Sequence, residues 1–245
     1  MSLIFKNLVQ VEVQKHLKTT LKGRPQKLSF NDAFDDICHV IKTGMQWRCL
    51  RPKDVSFITV FKRMHTWISL NVFEEAYKKL LKLYKKKYPP KYYCIDSSYI
   101  KNIYGKDCVG KNPTDRGRKA TKLSVIVDEK GVPHSLHASE GNVSDMKLLE
   151  ISLQNMLLSV DKHKELFADK GYDSKFNRGI CARYSLSDRI FRRKTKNSRR
   201  THRKRGVVDS NRTIYGGPGA LPPILIMDHC STRPALLETQ ASAGH

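Results

Sequence analysis

The sequence predicts an α/β protein, a mixed sheet flanked by helices and preceded by a small all-helical region. Three observations carry this. Apolar residues recur at helical spacing through the first third of the chain, and near Tyr92 the period changes to extended, β-branched and aromatic runs. The segments after Tyr92 then follow the order strand, strand, strand, helix, strand, helix, strand. Finally, 245 residues of which 39% are hydrophobic, with ten Tyr, nine Phe and two Trp, can bury a core of that size.

Residues 1–28 read as basic and irregular, ending in "KGRPQKLSF". Asn31 offers an N-cap to "DAFDDICHVIKTG", whose Ala33, Phe34, Ile37, Val40 and Ile41 fall on one helical face, and Gly44 ends the helix. "VSFITVFKRMHTWISLNVFEEAYKKLLKLYKKK" gives two more helices that meet near Leu70 and Asn71, and "YPPKY" is a linker. Residues 1–88 are thus expected to form a basic helical, DNA-binding region. A three-helix basic unit has the form that enters a DNA groove, although packing alone produces the same pattern.

The second region, 91–215, opens on "YYCIDSSYIKNIY", an apolar and aromatic run around a lone Asp. "TKLSVIVDEKG" is a β-branched strand closing on a turn, and "VPHSLHASEGN" is a third strand. "VSDMKLLEISLQNMLLSV" is helical, with Ser144 or Asp145 as the cap. "HKELFADKGYDS" is a fourth strand ending at Asp169, "SKFNRGICARYSL" a short helix and "DRIFRRK" a fifth strand. Three successive strands form an antiparallel meander, and the later alternation adds parallel neighbours. Residues 216–245 contain no Lys and begin with Gly216, Gly217 and Pro218, which stop a helix. That break in composition is expected of a disordered, foreign tail, as a frame disruption after about residue 215 would produce.

Charge narrows the partners. Forty-six Lys and Arg against 23 Asp and Glu give +23, the balance of a phosphate-binding surface. No run approaches the roughly 18 apolar residues of a membrane span, and the N-terminus has no secretory stretch. The chain is therefore expected inside the cell, on DNA, with no membrane. Its six cysteines are scattered without a Cys-x-x-Cys pair and predict buried, reduced thiols. The spacing of His134, His137, His163 and His202 fits no zinc site. Tyr172 is expected to pack beside the site of Asp169, and Trp47 and Trp67 to belong to the helical core.

Two acids stand where acids are costly. Asp96 interrupts an apolar strand and Asp169 closes another, so each should be partly desolvated and in need of a partner. Strand-end carboxylates on neighbouring strands hold divalent cations, and Mg²⁺ suits a sparse oxygen set with retained waters. Two such ions about 4 Å apart support phosphoryl transfer.

The stretch "YCIDSSYIKN…GKNPTDRGRKATKLSVIVDEKGVPHSLHASEGNVSDMKLLE…FADKGYDS" closely resembles DDE-type transposases of bacterial insertion sequences. The resemblance runs from about Asn31 to about Asp209 and includes "IKTGMQWRCL" and Trp67. It implies a ribonuclease H-like catalytic core, Mg²⁺ or Mn²⁺ as cofactor (two ions), Asp96 as the first catalytic acid and metal ligand, and Asp169 as the second. It implies double-stranded DNA as partner, both transposon ends and target, a homo-oligomer on DNA, and cleavage followed by strand transfer.

For the third acid the family pattern is Tyr-x2-Arg-x3-Glu-x6-Lys. Here His202 stands at the Tyr position, Arg205 at the Arg, Asp209 at the Glu and Gly216 at the Lys. Asp209 is the counterpart, one methylene shorter, and a displacement of about 1 Å costs on the order of a hundredfold in rate. Asp209 is either the third metal ligand or a surface acid on a basic helix. Ten Lys or Arg and no acid lie between Arg189 and Arg205, and Arg192, Arg193, Arg199, Arg200, Arg203 and Arg205 are expected to track DNA phosphates. A second basic loop, 110–122, offers Arg116, Arg118, Lys119 and Lys122 to phosphates near Asp96. Two functions follow: a metal-dependent DNA strand-transfer enzyme, or an inactive remnant that only binds DNA.

Overall fold

A computed structural model describes residues 3–16, 27–102 and 105–192. Contacts divide them into two compact units, with Leu81 the first residue of the second.

The first unit is helical. The N-terminal stretch expected to be irregular contains α1 (Leu3–His16), which buries Phe5, Val9 and Val13 at a strict four-residue spacing. Exposed Leu3, Ile4 and Val11 blur that stripe in the sequence. Glu12, also buried, is held by Lys15 at 2.7 Å and by Lys79 of α4. Helix α2 (Phe30–Thr43) is capped by Ser29, not Asn31: the Ser29 hydroxyl accepts from the Asp32 N–H at 3.1 Å. Phe30 belongs to the helix because its ring stacks on Phe34 and reaches Trp67 at 5.3 Å. Gly44 ends α2 in the left-handed conformation, φ 67°, donating to the Val40 carbonyl. After a 3-10 turn at Trp47–Cys49, α3 (Phe57–Ser69) and α4 (Val72–Lys87) meet through Asn71, whose φ of 53° makes the reversal. Trp67 is core; Trp47, half-exposed, sits edge-on to Phe61.

The second unit takes the last two turns of α4 as well as the sheet. Lys85 reaches Asp161 at 3.0 Å, and the Tyr84 hydroxyl bonds to Asp128. The strands are β1 (Tyr92–Lys101), β2 (Gly110–Lys111), β3 (Lys119–Asp128), β4 (Pro133–Glu140), β5 (Glu165–Ala168) and β6 (Ser187–Ile190). Helix α5 (Asp145–Gln154) joins β4 to β5, and α6 (Lys175–Arg183) joins β5 to β6. The sheet runs β4-β3-β1-β5-β6, with short β2 beside β4 on the same side of β3. The first three long strands are antiparallel, as expected, and β5 and β6 add in parallel. This is the ribonuclease H-like arrangement that the resemblance implied, with β2 as an extra edge strand.

Nine of ten residues of β3 are buried, consistent with its β-branched composition and a place inside the sheet. One face packs Tyr93, Ile95, Ile126, Leu166 and Ala168 against Leu149 and Leu153 of α5 and Ile180 of α6. Ser144 precedes α5 as its cap position, and Ser174 caps α6 by accepting from the Asn177 N–H. Cys38 and Cys181 are buried, as expected, whereas Cys49 is exposed and Cys94 and Cys108 are half-buried. Cys230 lies outside the described residues.

Leu149→Ala is expected to lower the stability of the sheet unit by about 2–5 kcal/mol, and Ser29→Ala that of the helical unit by about 1 kcal/mol. Urea unfolding followed by circular dichroism checks both.

Candidate active site

Strand register builds the site. In the parallel pair β1–β5, Tyr92 aligns with Glu165 and Ile95 with Ala168. One further step sets Asp96 beside Asp169, on the same face of neighbouring strands about 5 Å apart. β5 ends there, so Asp169 stands at its carboxyl end, where ligands of open α/β sheets bind. The Asp169 carbonyl then accepts from the Tyr172 N–H at 3.0 Å as the chain turns through Lys170–Tyr172.

The two carboxylates differ in environment. Asp96 is half-buried; burial raises its carboxyl above the ordinary value, and the charges of Asp145 and Asp169 add to this. The Ser97 N–H, which donates to Asp96 Oδ1 at 2.8 Å, and the Lys122 ammonium act in the opposite direction. Asp169 is exposed rather than desolvated, because it lies just past the last paired residue of β5.

Alternation sends Ser97 to the opposite face, where α5 packs. There its hydroxyl donates to Asp145 Oδ1 at 2.6 Å, and Lys122 Nζ lies 2.6 Å from the same oxygen. Tyr172, buried as expected, points its hydroxyl toward Ser97 and Ser124 without a well-formed hydrogen bond to either; burial pushes that phenol well above its ordinary value.

The basic residues divide. Arg116 and Arg118 are exposed on the tight loop between β2 and β3, closed by the Gly117 N–H on the Asn112 carbonyl, and Lys119 is exposed at the first position of β3. Asp96 pairs with Val125, six residues along β3 from Lys119, which places this loop about 20 Å from the aspartates rather than beside them. That is about six nucleotides of a DNA strand. Lys122 departs from expectation more sharply. Its residue exposure is 3%, its ammonium is taken by Asp145 and the Val143 carbonyl, and it does not face solvent phosphates. Lysine has no other tolerable state on a β3 face shared with Ser124 and Ile126. Arg192 is exposed just past β6, where the Phe191 N–H bonds to the Ala168 carbonyl, so it stands at the same carboxyl ends as Asp169. Asp209, Arg193, Arg199, Arg200, Arg203 and Arg205 lie outside the described residues.

Among the described residues, no three His, Cys, Asp or Glu side chains converge into a metal-binding group. The sequence reading missed the role of Asp145, taken only as a cap. A lysine inside a strand buried on both faces was the available signal that a carboxylate had to lie opposite.

The topology defines a ribonuclease H-like α/β domain in which Asp96, midway along β1, and Asp169, just past β5, each follow the last β1–β5 pair by one residue. The sequence profile described as "Transposase DDE domain" matches residues 77–216, more than half of the chain. The chain belongs to the DDE-domain transposase family. It is 26% identical over 114 residues to the "Putative transposase for insertion sequence element IS402" of Burkholderia cepacia, an alignment covering 43% of this chain and 54% of that protein. A solved structure, the piggyBac transposase synaptic complex with hairpin DNA, is similar at a TM-score of 0.42 and 13% identity, over 79% of this chain and 49% of that one. The chain thus spans about half the length of these relatives.

Because folding raises the Asp96 carboxyl, its ionised form disfavours the folded state. In metal-free protein at pH 7, Asp96→Asn is expected to raise Tm by about 2–5 °C. The gain should shrink as pH falls through the raised value and vanish below 3.8, where the wild-type carboxyl is protonated in both states. Calorimetry across that window checks the sign.

Proposed function

We propose that this chain is a metal-dependent DNA transposase that cleaves the ends of an insertion sequence and joins them to target DNA. The observation that carries the reading is the register of β1 on β5, which sets Asp96 beside Asp169. The donor chemistry fits a hard divalent cation: two carboxylates on one face, one of them half-buried and raised by its negative neighbours. Asp96 and Asp169 would hold Mg²⁺ or Mn²⁺, two ions in the family's manner, with Asp209 as the third ligand on the strength of the sequence pattern alone. Bound there, the cations would supply Lewis-acid activation of the attacking oxygen and stabilisation of the leaving one.

The protein's own residues position and neutralise. Asp96 is fixed by the Ser97 N–H and by its strand, and Asp169 by the turn that follows it. Arg192 would contact phosphates next to the scissile bond, and Arg116, Arg118 and Lys119 would hold the same duplex about six nucleotides away. The arginines at 193, 199, 200, 203 and 205 would extend that track. A net charge of +23 supports double-stranded DNA as the partner, at transposon ends and at the target; action as a homo-oligomer on DNA inside the cell rests on the family resemblance alone. No helix among the described residues is long and apolar enough to cross a membrane.

The test uses the full chain and duplexes carrying the DNA that flanks its gene. Wild type with Mg²⁺ or Mn²⁺ is expected to nick and join these ends. Asp96→Ala and Asp169→Ala should each lower cleavage on the order of a thousandfold or more, with DNA affinity kept within a few fold. Affinity itself should fall by about 10³-fold or more between 50 and 200 mM salt. Wild type that binds DNA with this salt dependence but does not cut overturns the enzyme reading in favour of a DNA-binding remnant.

A further inference from the structure

Behind the paired aspartates, on the helix side of the sheet, lies a buried cation that the site as described does not use. Lys122 Nζ is 2.6 Å from Asp145 Oδ1 and 3.0 Å from the Val143 carbonyl, and it lies 5.1 Å from the centre of the Tyr99 ring. The same Asp145 oxygen accepts from the Ser97 hydroxyl at 2.6 Å. The other oxygen, Oδ2, lies 3.1 Å from where a Cβ on Gly171 would be, so a side chain there would push the carboxylate and the turn after β5 apart by a few tenths of an ångström. One carboxylate at the start of α5 therefore touches β3, β1 and the turn after β5. Its contact on β1 is the neighbour of Asp96, and its contact beyond β5 is two residues from Asp169.

A buried ion pair is weak evidence of stability, since apolar residues of similar volume often serve as well. What it supplies is directional geometry. Asp96 and Asp169 repel one another before any cation arrives, and β5, only four residues long, gives little ladder to resist that repulsion. We propose that Lys122 and Asp145 are positioning residues for the paired aspartates, tying Ser97 and Gly171 to α5 so that the two carboxylates keep a cation-ready separation. Its functional consequence rests on the metal reading above.

The full chain is compared with Lys122→Met, Lys122→Arg, Asp145→Asn and Asp96→Asn. Metal-free amide hydrogen exchange, read by mass spectrometry, should rise about tenfold at residues 96–98 and 169–172 in Lys122→Met and Asp145→Asn, with the rest of the sheet unchanged. Lys122→Arg, which keeps the pair, should exchange like wild type. Calorimetric titration with Mn²⁺ alone should show binding weakened about 10–100-fold in Lys122→Met, although loss of a positive charge by itself would tighten it. Unchanged exchange at both segments, or Mn²⁺ bound as tightly as in wild type or tighter, overturns the proposal. Should Lys122→Met unfold, Asp145→Asn decides by the exchange readout, since loss of its negative charge by itself weakens Mn²⁺ binding. Wild-type Mn²⁺ binding that does not respond to Asp96→Asn removes the metal reading instead, and the exchange comparison still decides the tether.

Discussion

The parallel pairing of β1 with β5 joins the antiparallel meander to the alternating half of the sheet, and the site depends on its register. Ile95 against Ala168 puts both aspartates on one face; a slip of one residue would turn Asp169 to the other. Four residues of ladder hold this choice, because Tyr93, Ile95, Leu166 and Ala168 all bury on the face covered by α5 and α6. Burial on that face thus fixes what the opposite face presents, and the core and the site are two consequences of one alternation.

β1 is anchored at both ends of its useful length. At its start, the Tyr93 hydroxyl donates to Asp161 at 2.6 Å, and Asp161 is also held by Lys85 from the end of α4. Four residues on, Ser97 is held to Asp145. Asp96 lies between these ties on a strand that cannot easily slide or twist. Asp128, at the end of β3, is likewise kept ionised against its burial by His134, by the Tyr84 hydroxyl and by N–H groups of its own turn. These networks bind the last turns of α4 into the sheet unit, which is why the division between units falls within that helix rather than in the linker after it.

The distribution of charge follows the same logic. In a strongly basic chain, carboxylates gather around Asp96, Asp145 and Asp169, and the lysine that meets them is turned inward while the arginines face out. Exposed arginines thus lie outside a small acidic region of the sheet.

Strand identity and order were legible in the sequence because period and β-branching are local properties, and the two aspartates stood out because each breaks an apolar run. Helix α1 was hidden by exposed apolar residues that blurred its buried stripe, and Ser29 by the aromatic packing that draws Phe30 into α2. Lys122 looked like one more phosphate contact, and only the partner brought to it by α5 shows otherwise. Composition and spacing therefore determined the fold class and the two candidate acids. Tertiary structure decided which face they share, how far Arg116 and Arg118 lie from them, and that Asp145 stands behind them. Those are matters of strand register and helix docking between residues distant in the chain, which no local pattern encodes.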